Sequence, residues 1–242
     1  MEVRYIKPEE ASDYLKVSAA SFIWKFNKDE DNKVEMPVLG AFYNDRLIAG
    51  AEVYNYKCNY CGNIINALVL DGICSQPEYR RMGGVRALFD EVGRSAIEND
   101  VTVGFLSPFS ISYYEKFGFV NLNRTFSVKA PFSNLSNIER NNDVELYTGE
   151  QFSELCELYN ECARSENLTI IRDDKRQFCE EPLERADYTY IHRNKTGEAD
   201  GYVRFTVNRP EELVAEELFV KNLDALTPTE RKIYTLYTNG SK

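Results

Sequence analysis

Pro77-Glu78-Tyr79-Arg80-Arg81-Met82-Gly83-Gly84-Val85-Arg86 follows an apolar, strand-like run, Leu68 to Ser75, and opens an amphipathic, helix-like run, Val85 to Asn99. A strand that leads through a glycine-bearing loop into a helix suits a ligand carrying phosphate. The N–H groups of a helix's first turn have no partner inside the helix, and they carry the positive end of its dipole into the loop. Gly83 and Gly84 let the backbone come close to an anion that a β-carbon would hold away. Taken alone, the same letters also fit an ordinary βα turn with solvated arginines.

A second element lies downstream: Ser107-Pro108-Phe109-Ser110-Ile111-Ser112-Tyr113-Tyr114-Glu115-Lys116-Phe117-Gly118-Phe119. Arg-Arg-x-Gly-x-x-Arg after a strand, then a strand, then Tyr-x-x-Phe-Gly-Phe, resembles the GNAT superfamily of acyl-CoA-dependent N-acetyltransferases. Within it, Tyr79 to Leu88 resembles the enhanced-intracellular-survival (Eis) family. The usual superfamily pattern is Gln/Arg-x-x-Gly-x-Gly/Ala. This chain keeps Arg80 and Gly83 and carries the larger Val85 at the last place, as the Eis-like branch also does. The similarity covers the first part of the chain well and the remainder loosely.

The resemblance implies an α+β GNAT fold, a mixed, largely antiparallel, splayed sheet flanked by helices. A second, degenerate or incomplete GNAT-like domain would follow it. Residues 1–132 would form the acetyl-CoA-binding domain, 133–143 a linker and 144–242 the second domain. Acetyl-CoA would be the co-substrate. Ile73, Cys74 and Ser75 would hold its pantetheine arm by backbone groups, and Arg80, Arg81, Met82, Gly83, Gly84, Val85 and Arg86 its pyrophosphate. Phe109 and Ser110 would complete the cofactor wall. Tyr114 matches the family tyrosine that protonates the leaving thiolate. A phenol of pKa near ~10 is protonated at neutral pH and can serve as that acid. Tyr113 is its rival, one residue rotating a helix position by about 100°, and the spacing to Phe117-Gly118 favours Tyr114. Both also fit aromatic core packing.

Phe22 and Trp24 follow Ala20-Ser21, as aromatics do in the family, and would line a pocket for an amine acceptor through cation–π attraction. For Phe22 a place in the core fits better still. Glu30, Asp31, Glu35 and Glu52 are candidate proton acceptors, none singled out by spacing, and each also fits a solvated surface charge. The Eis family adds a sterol-carrier-like part after its central unit, and no segment here resembles it. The family's terminal-carboxylate role is therefore not carried to Lys242, and the chain reads as a short member or a truncated one. Ring-forming relatives imply a possible homo-oligomer.

Composition narrows the classes. Of 242 residues, 29 are Lys or Arg and 39 Asp or Glu, a net charge of −10. That balance opposes nonspecific nucleic-acid binding and favours a cationic partner through a diffuse, salt-screened field. The 43% hydrophobic content supports a packed core. No apolar run is long enough to span a bilayer, and Met1 to Trp24 is charged rather than signal-like, so a cytoplasmic location is expected. Cys58-Asn-Tyr-Cys61 has metal-ligand or redox spacing, yet no second Cys/His pair accompanies it and His192 is the single histidine. The reading is thiols in a reducing compartment and no metal. Cys74 lacks an activating base and is not read as a nucleophile.

Along the chain, the pattern predicts a helix from Glu9 to Trp24, a loop from Lys25 to Glu35, and a hairpin from Val38–Tyr43 and Leu47–Tyr54. A central strand Ile64–Ser75, a helix Val85–Asn99, a strand Val101–Ser107, a short helix Ser110–Lys116 and closing strands from Phe119 to Phe132 follow. The second part predicts a helix Thr148–Ser165, strands Tyr188–His192, Gly201–Val207 and Leu213–Val220, and a last helix from Thr227 to about Asn239. Two functions follow from these readings. One is an N-acetyltransferase acting on a small cationic amine such as an aminoglycoside, a polyamine or a lysine side chain. The other is a non-catalytic acyl-CoA-binding or scaffold protein.

Overall fold

Asn44 and Asp45, both with positive φ, turn strand β2 (Val38–Tyr43) back into β3 (Arg46–Tyr60) in a computed structural model that describes residues 1–23, 37–122, 143–173, 188–207 and 213–221. Asn and Asp tolerate left-handed backbone better than other side chains, which explains a tight hairpin here. β3 runs on past the predicted end at Tyr54 to Tyr60 and turns at Cys61 and Gly62, again at positive φ, into β4 (Asn63–Ser75).

The chain divides into two units. The first holds Met1–Cys58 and Ile64–Leu122. Its strands lie in the order β1-β2-β3-β4-β5, where β1 is Glu2–Tyr5 and β5 is Val101–Leu106. β1 on β2 and β2 on β3 are antiparallel, and β5 joins β4 in parallel. Helix α1 (Ala11–Phe22), entered through a 3-10 turn at Pro8–Glu10, buries Tyr14, Leu15 and Val17 against Val38, Phe42, Leu47 and Cys74. Helix α2 (Gly84–Glu98) packs Leu88 with Leu39, Ala41, Ile48, Ala49, Ala51, Leu68 and Leu70. Alanines at that face let the helix lie close to the sheet. A single turn, α3 (Ile111–Tyr114), runs into a 3-10 turn, Glu115–Phe117, that Gly118 ends at φ 88°. This is the α+β arrangement, a mixed and largely antiparallel sheet flanked by helices, that the sequence implied.

The second unit holds Asn59–Asn63 and the chain from 123 onward. Its antiparallel sheet has the order β10-β9-β8-β6: β6 Val144–Leu146, β8 Tyr188–Arg193, β9 Ala199–Val207 and β10 Leu213–Val220. Helix α4 (Phe152–Ala163) buries Leu155, Leu158 and Tyr159 against Ile191, Ala199 and Tyr202. It starts later than predicted because Thr148 gives its N–H to Gln151 Oε1 at 3.1 Å, a side-chain-bonded turn in place of a first helical turn. Asn59, at the hairpin tip, caps the other end of α4: its side-chain nitrogen lies 3.2, 3.0 and 2.6 Å from the carbonyls of Ala163, Arg164 and Glu166. Leu168, just before β7 (Thr169–Ile170), gives its N–H to Asn59 O at 2.7 Å.

Strands β1, β6 and β7 have two to four residues and were not predicted. The predicted loop Lys25–Glu35, the closing strands beyond Leu122, nearly all of the linker and the last helix lie outside the described residues. Trp24, Glu30, Asp31, Glu35 and Cys179 lie outside them too. Among the described residues no helix is long and apolar enough to cross a membrane.

Candidate functional site

Parallel pairing of β4 with β5 runs from Asn66↔Val101 to Leu70↔Leu106. β5 then ends, with Pro108 two residues on, while β4 continues through Asp71 to Ser75. Among the described residues no strand pairs with that side of the last five β4 residues, although Gly72 gives its N–H to the Asp71 side chain at 2.8 Å and its carbonyl lies 3.1 Å from Tyr14 Oη. The strand also changes face here. Leu68 and Leu70 join the α2 core, then Ile73 rather than Gly72 does, and Cys74 joins the α1 core. Gly72 absorbs the extra residue at φ 57°, as a β-bulge requires. Cys74 is 3% exposed and burial pushes its thiol up to about 12, which keeps it protonated and unreactive. The Gln76 N–H goes to Ile48 O of β3, so by alternation Ile73 and Ser75, rather than Cys74, turn their backbone groups away from β3.

The strand is then fixed to its neighbour. Gln76 gives its N–H to Ile48 O at 2.9 Å and its side-chain amide to Leu47 O at 2.6 Å. A 3-10 turn, Pro77–Tyr79, leads to extended Arg80, then to Arg81 at φ 67° and Gly83 at φ 89°, the N-cap of α2. Left-handed backbone at a non-glycine costs about 1–2 kcal/mol, and such residues concentrate at ligand clamps. Arg80, Arg81, Met82, Gly83 and Arg86 are exposed, Gly84 is buried and Val85 half-buried. The two glycines have different roles. A Cβ on Gly83 would meet nothing within 4 Å, so that side of the loop is open. A Cβ on Gly84 would stand 3.1 Å from Ala49 Cβ, so its absence seats the first turn of α2 on the sheet. The structure thus brings the predicted anion loop to the end of the open edge of β4.

Tyr114 is 4% exposed, and its ring lies edge-on to Phe89, Phe109, Tyr113 and Phe119 at centroid distances of 5.2–6.3 Å. Its hydroxyl makes no hydrogen bond among the described residues. Burial, then the charges of Tyr113 and Asp71, raise its pKa, so it is a neutral donor at pH 7. Asp71 is the first β4 residue beyond the paired stretch, which puts Tyr114 within electrostatic reach of the open edge. Tyr113 is half-buried; burial raises its pKa and nearby Arg86 opposes the rise. Arg86 lies over the Phe117 ring at 5.3 Å. Phe109 is 78% exposed, and Ser110 Oγ is 3.2 Å from Ser112 Oγ. Phe22 is 54% exposed at the end of α1, so the core place that suited it in the sequence is not the one it takes.

The sequence did not single out Glu52. Its Oε1 accepts from Tyr14 Oη at 2.8 Å and its Oε2 from Tyr54 Oη at 2.7 Å. Tyr14 Oη also lies 3.1 Å from Gly72 O, so the carboxylate sits against the bulge. The available signal was alternation, Glu52-Val53-Tyr54-Asn55-Tyr56, read together with a glycine inside a strand. In the second unit, His192 Nδ1 lies 2.5 Å from Asp200 Oδ1. Cys58 is buried while Cys61 is exposed in the hairpin turn, and no cluster of three metal-ligating side chains occurs among the described residues.

The profile of the acetyltransferase (GNAT) domain matches residues 2–121. Among solved structures, a probable N-acyltransferase from Enterococcus faecalis superposes with a TM-score of 0.79 at 19% identity, over 99% of this chain and 62% of its own. A GCN5-related N-acetyltransferase from Kribbella flavida gives 0.72 at 16% identity, over 99% and 61%. Eis1 from Mycobacterium abscessus gives 0.69 at 17% identity, over 97% and 62%. The chain therefore spans under two thirds of the length of these structures, and at such identities they establish the fold. No curated protein matches the chain. Its first unit, with the open β4 edge, the arginine–glycine loop and the aromatic turn in one domain, belongs to the GNAT acetyltransferase family.

Proposed function

We propose that this chain is an acetyl-CoA-dependent N-acetyltransferase that acts on the primary amine of a small cationic acceptor. The observation that carries the reading is the junction of an unpaired β4 edge, Asp71 to Ser75, with the exposed loop from Arg80 to Arg86. A pantetheine arm is an extended, amide-bearing chain and suits an unpaired strand edge. A pyrophosphate suits a glycine-opened helix N-terminus with arginines beside it. The open side of Gly83 meets the space requirement.

When bound, acetyl-CoA supplies an acyl thioester. The remaining work belongs to side chains and backbone. N–H groups on the open edge hold the ligand and can polarise the thioester carbonyl. Tyr114, neutral at pH 7, donates its phenolic proton to the sulfur as it leaves. The net charge of −10 favours approach of a cation.

The test is an acetylation assay over a panel of amines with wild type and Tyr114→Phe. Turnover by wild type with a large loss in the variant supports the reading. Equal turnover in both removes Tyr114 from its role. Acetyl-CoA binding with no amine acetylated would favour a non-catalytic acyl-CoA-binding protein.

A further inference from the structure

Glu52 is a half-buried carboxylate whose two oxygens are each held by a tyrosine hydroxyl, at 2.8 and 2.7 Å, and no Lys, Arg or His pairs with it among the described residues. An ionised carboxylate has room for about four hydrogen-bond donors, so two places remain beyond those the tyrosines take. A partly buried carboxylate is normally paired with a cation or neutralised. Its fixed geometry therefore points to a cation that arrives from outside.

The neighbourhood fits an organic cation. Glu52, Tyr54 and Tyr56 lie at alternate positions of β3 and share one face. The rings of Tyr54 and Tyr56 stack at 6.3 Å with an 18° interplanar angle, both half-buried. Aromatic faces attract ammonium groups, more so where water is partly excluded. Glu52 also touches the bulge: Gly72, whose φ is 57°, has its α-carbon against Glu52, and a Cβ there would lie 2.7 Å from Oε1. The carboxylate therefore stands beside the first open residues of β4, where the thioester of the proposed function would lie.

We propose that Glu52, with Tyr54 and Tyr56, is the acceptor subsite, and that it takes an organic primary ammonium and removes its proton. The inference rests on the acetyltransferase reading. The ammonium gives one proton to the Glu52 carboxylate, and the freed amine lone pair forms the new C–N bond to the acetyl carbon. The C–S bond breaks with its electron pair on sulfur, which takes the Tyr114 proton. Glu52 returns its proton to water, the second proton of the attacking nitrogen leaves to water, and water reprotonates the Tyr114 phenolate. The balance is ammonium plus acetyl-CoA to amide, coenzyme A and one proton.

The experiment titrates spermidine into wild type and Glu52→Gln calorimetrically, with acetyl-CoA titrated into each in parallel. The expected result is spermidine binding that weakens at least about tenfold in the variant, while acetyl-CoA affinity stays within about twofold; a factor of ten corresponds to about 1.4 kcal/mol. Equal spermidine binding by both proteins, or none by wild type, overturns the subsite. Wild type that binds spermidine but no acetyl-CoA defeats the acetyltransferase reading instead. If Glu52→Gln fails to fold, Tyr54→Phe takes its place: at least about threefold weaker spermidine binding supports the subsite, and unchanged binding contradicts it.

Discussion

The Tyr14 hydroxyl occupies the space that a side chain at Gly72 would need, and it lies 3.1 Å from Gly72 O and 2.8 Å from Glu52 Oε1. One phenol from α1 thus joins the bulge of β4 to the carboxylate of β3. Burial, then the charge of Glu52, pushes its pKa far above the ordinary phenol value, so the proton stays on Tyr14 through the physiological range. Gly72→Ala should cost about 2–4 kcal/mol, the sum of left-handed strain and a displaced phenol. Gly83→Ala, with the same sign of φ and open space around it, should cost only about 1 kcal/mol. Urea denaturation of the two variants measures the difference; equal losses would show that the Tyr14 contact does not matter.

Tyr114→Phe keeps every ring contact in the aromatic cluster and removes one hydroxyl that has no hydrogen-bond partner among the described residues. Stability should therefore move by less than about 0.5 kcal/mol. Turnover should fall by about 10²–10⁴-fold, the usual contribution of a general acid. Tyr113→Phe should affect turnover much less. The pair of variants, assayed for both melting temperature and kcat, separates acid from packing residue.

Cys74→Ala should retain acetyl transfer. The thiol, raised to about 12, is protonated at neutral pH and packs with Tyr14, Leu15 and Val38. Loss of a buried sulfur should lower stability by about 1–2 kcal/mol. Iodoacetamide labelling read by mass spectrometry should leave Cys74 unmodified in the folded protein while exposed Cys61 reacts.

The second unit should be acid-sensitive through Glu217. Arg172 forms a two-pronged ion pair with it, Arg204 Nη1 lies 3.2 Å away and Tyr202 Oη 3.1 Å. Burial pushes the carboxyl up, but the Arg172 hydrogen bonds and the two positive charges pull it down by more. A depressed native pKa contributes stability that is complete above the unfolded value near ~4.3 and is lost as pH falls through the native value. Wild type should lose stability steeply below about pH 4, and Glu217→Gln should show a flatter acid limb from a lower starting point. Denaturant midpoints between pH 3 and 7 test this; parallel curves would contradict it.

Local rules carried much of the fold. The strand–loop–helix order around Arg80-Arg81-Met82-Gly83-Gly84, the Asn44-Asp45 hairpin and the amphipathic α4 each follow from spacing within a few residues. What stayed hidden depends on tertiary partners. β1 and β6 are too short for a period-2 signal and exist because β2 and β8 supply the other half of their hydrogen bonds. β3 reaches Tyr60 because Asn59 is held by α4's last carbonyls, over 100 positions away. Glu52 gains meaning only from Tyr14, 38 residues earlier, and Gly72, 20 residues later. A carboxylate among 39 acidic side chains carries no mark of its own.

The most direct measurement is a calorimetric titration of acetyl-CoA into wild type and Gly83→Glu. The variant places a carboxylate in the open space beside the loop, facing the proposed pyrophosphate, at a position where no neighbour lies within 4 Å of a Cβ. Saturable binding by wild type is expected, weakened at least about a hundredfold or abolished in a variant that melts within a few degrees of it. Equal binding by both proteins, or no binding by wild type, would contradict it.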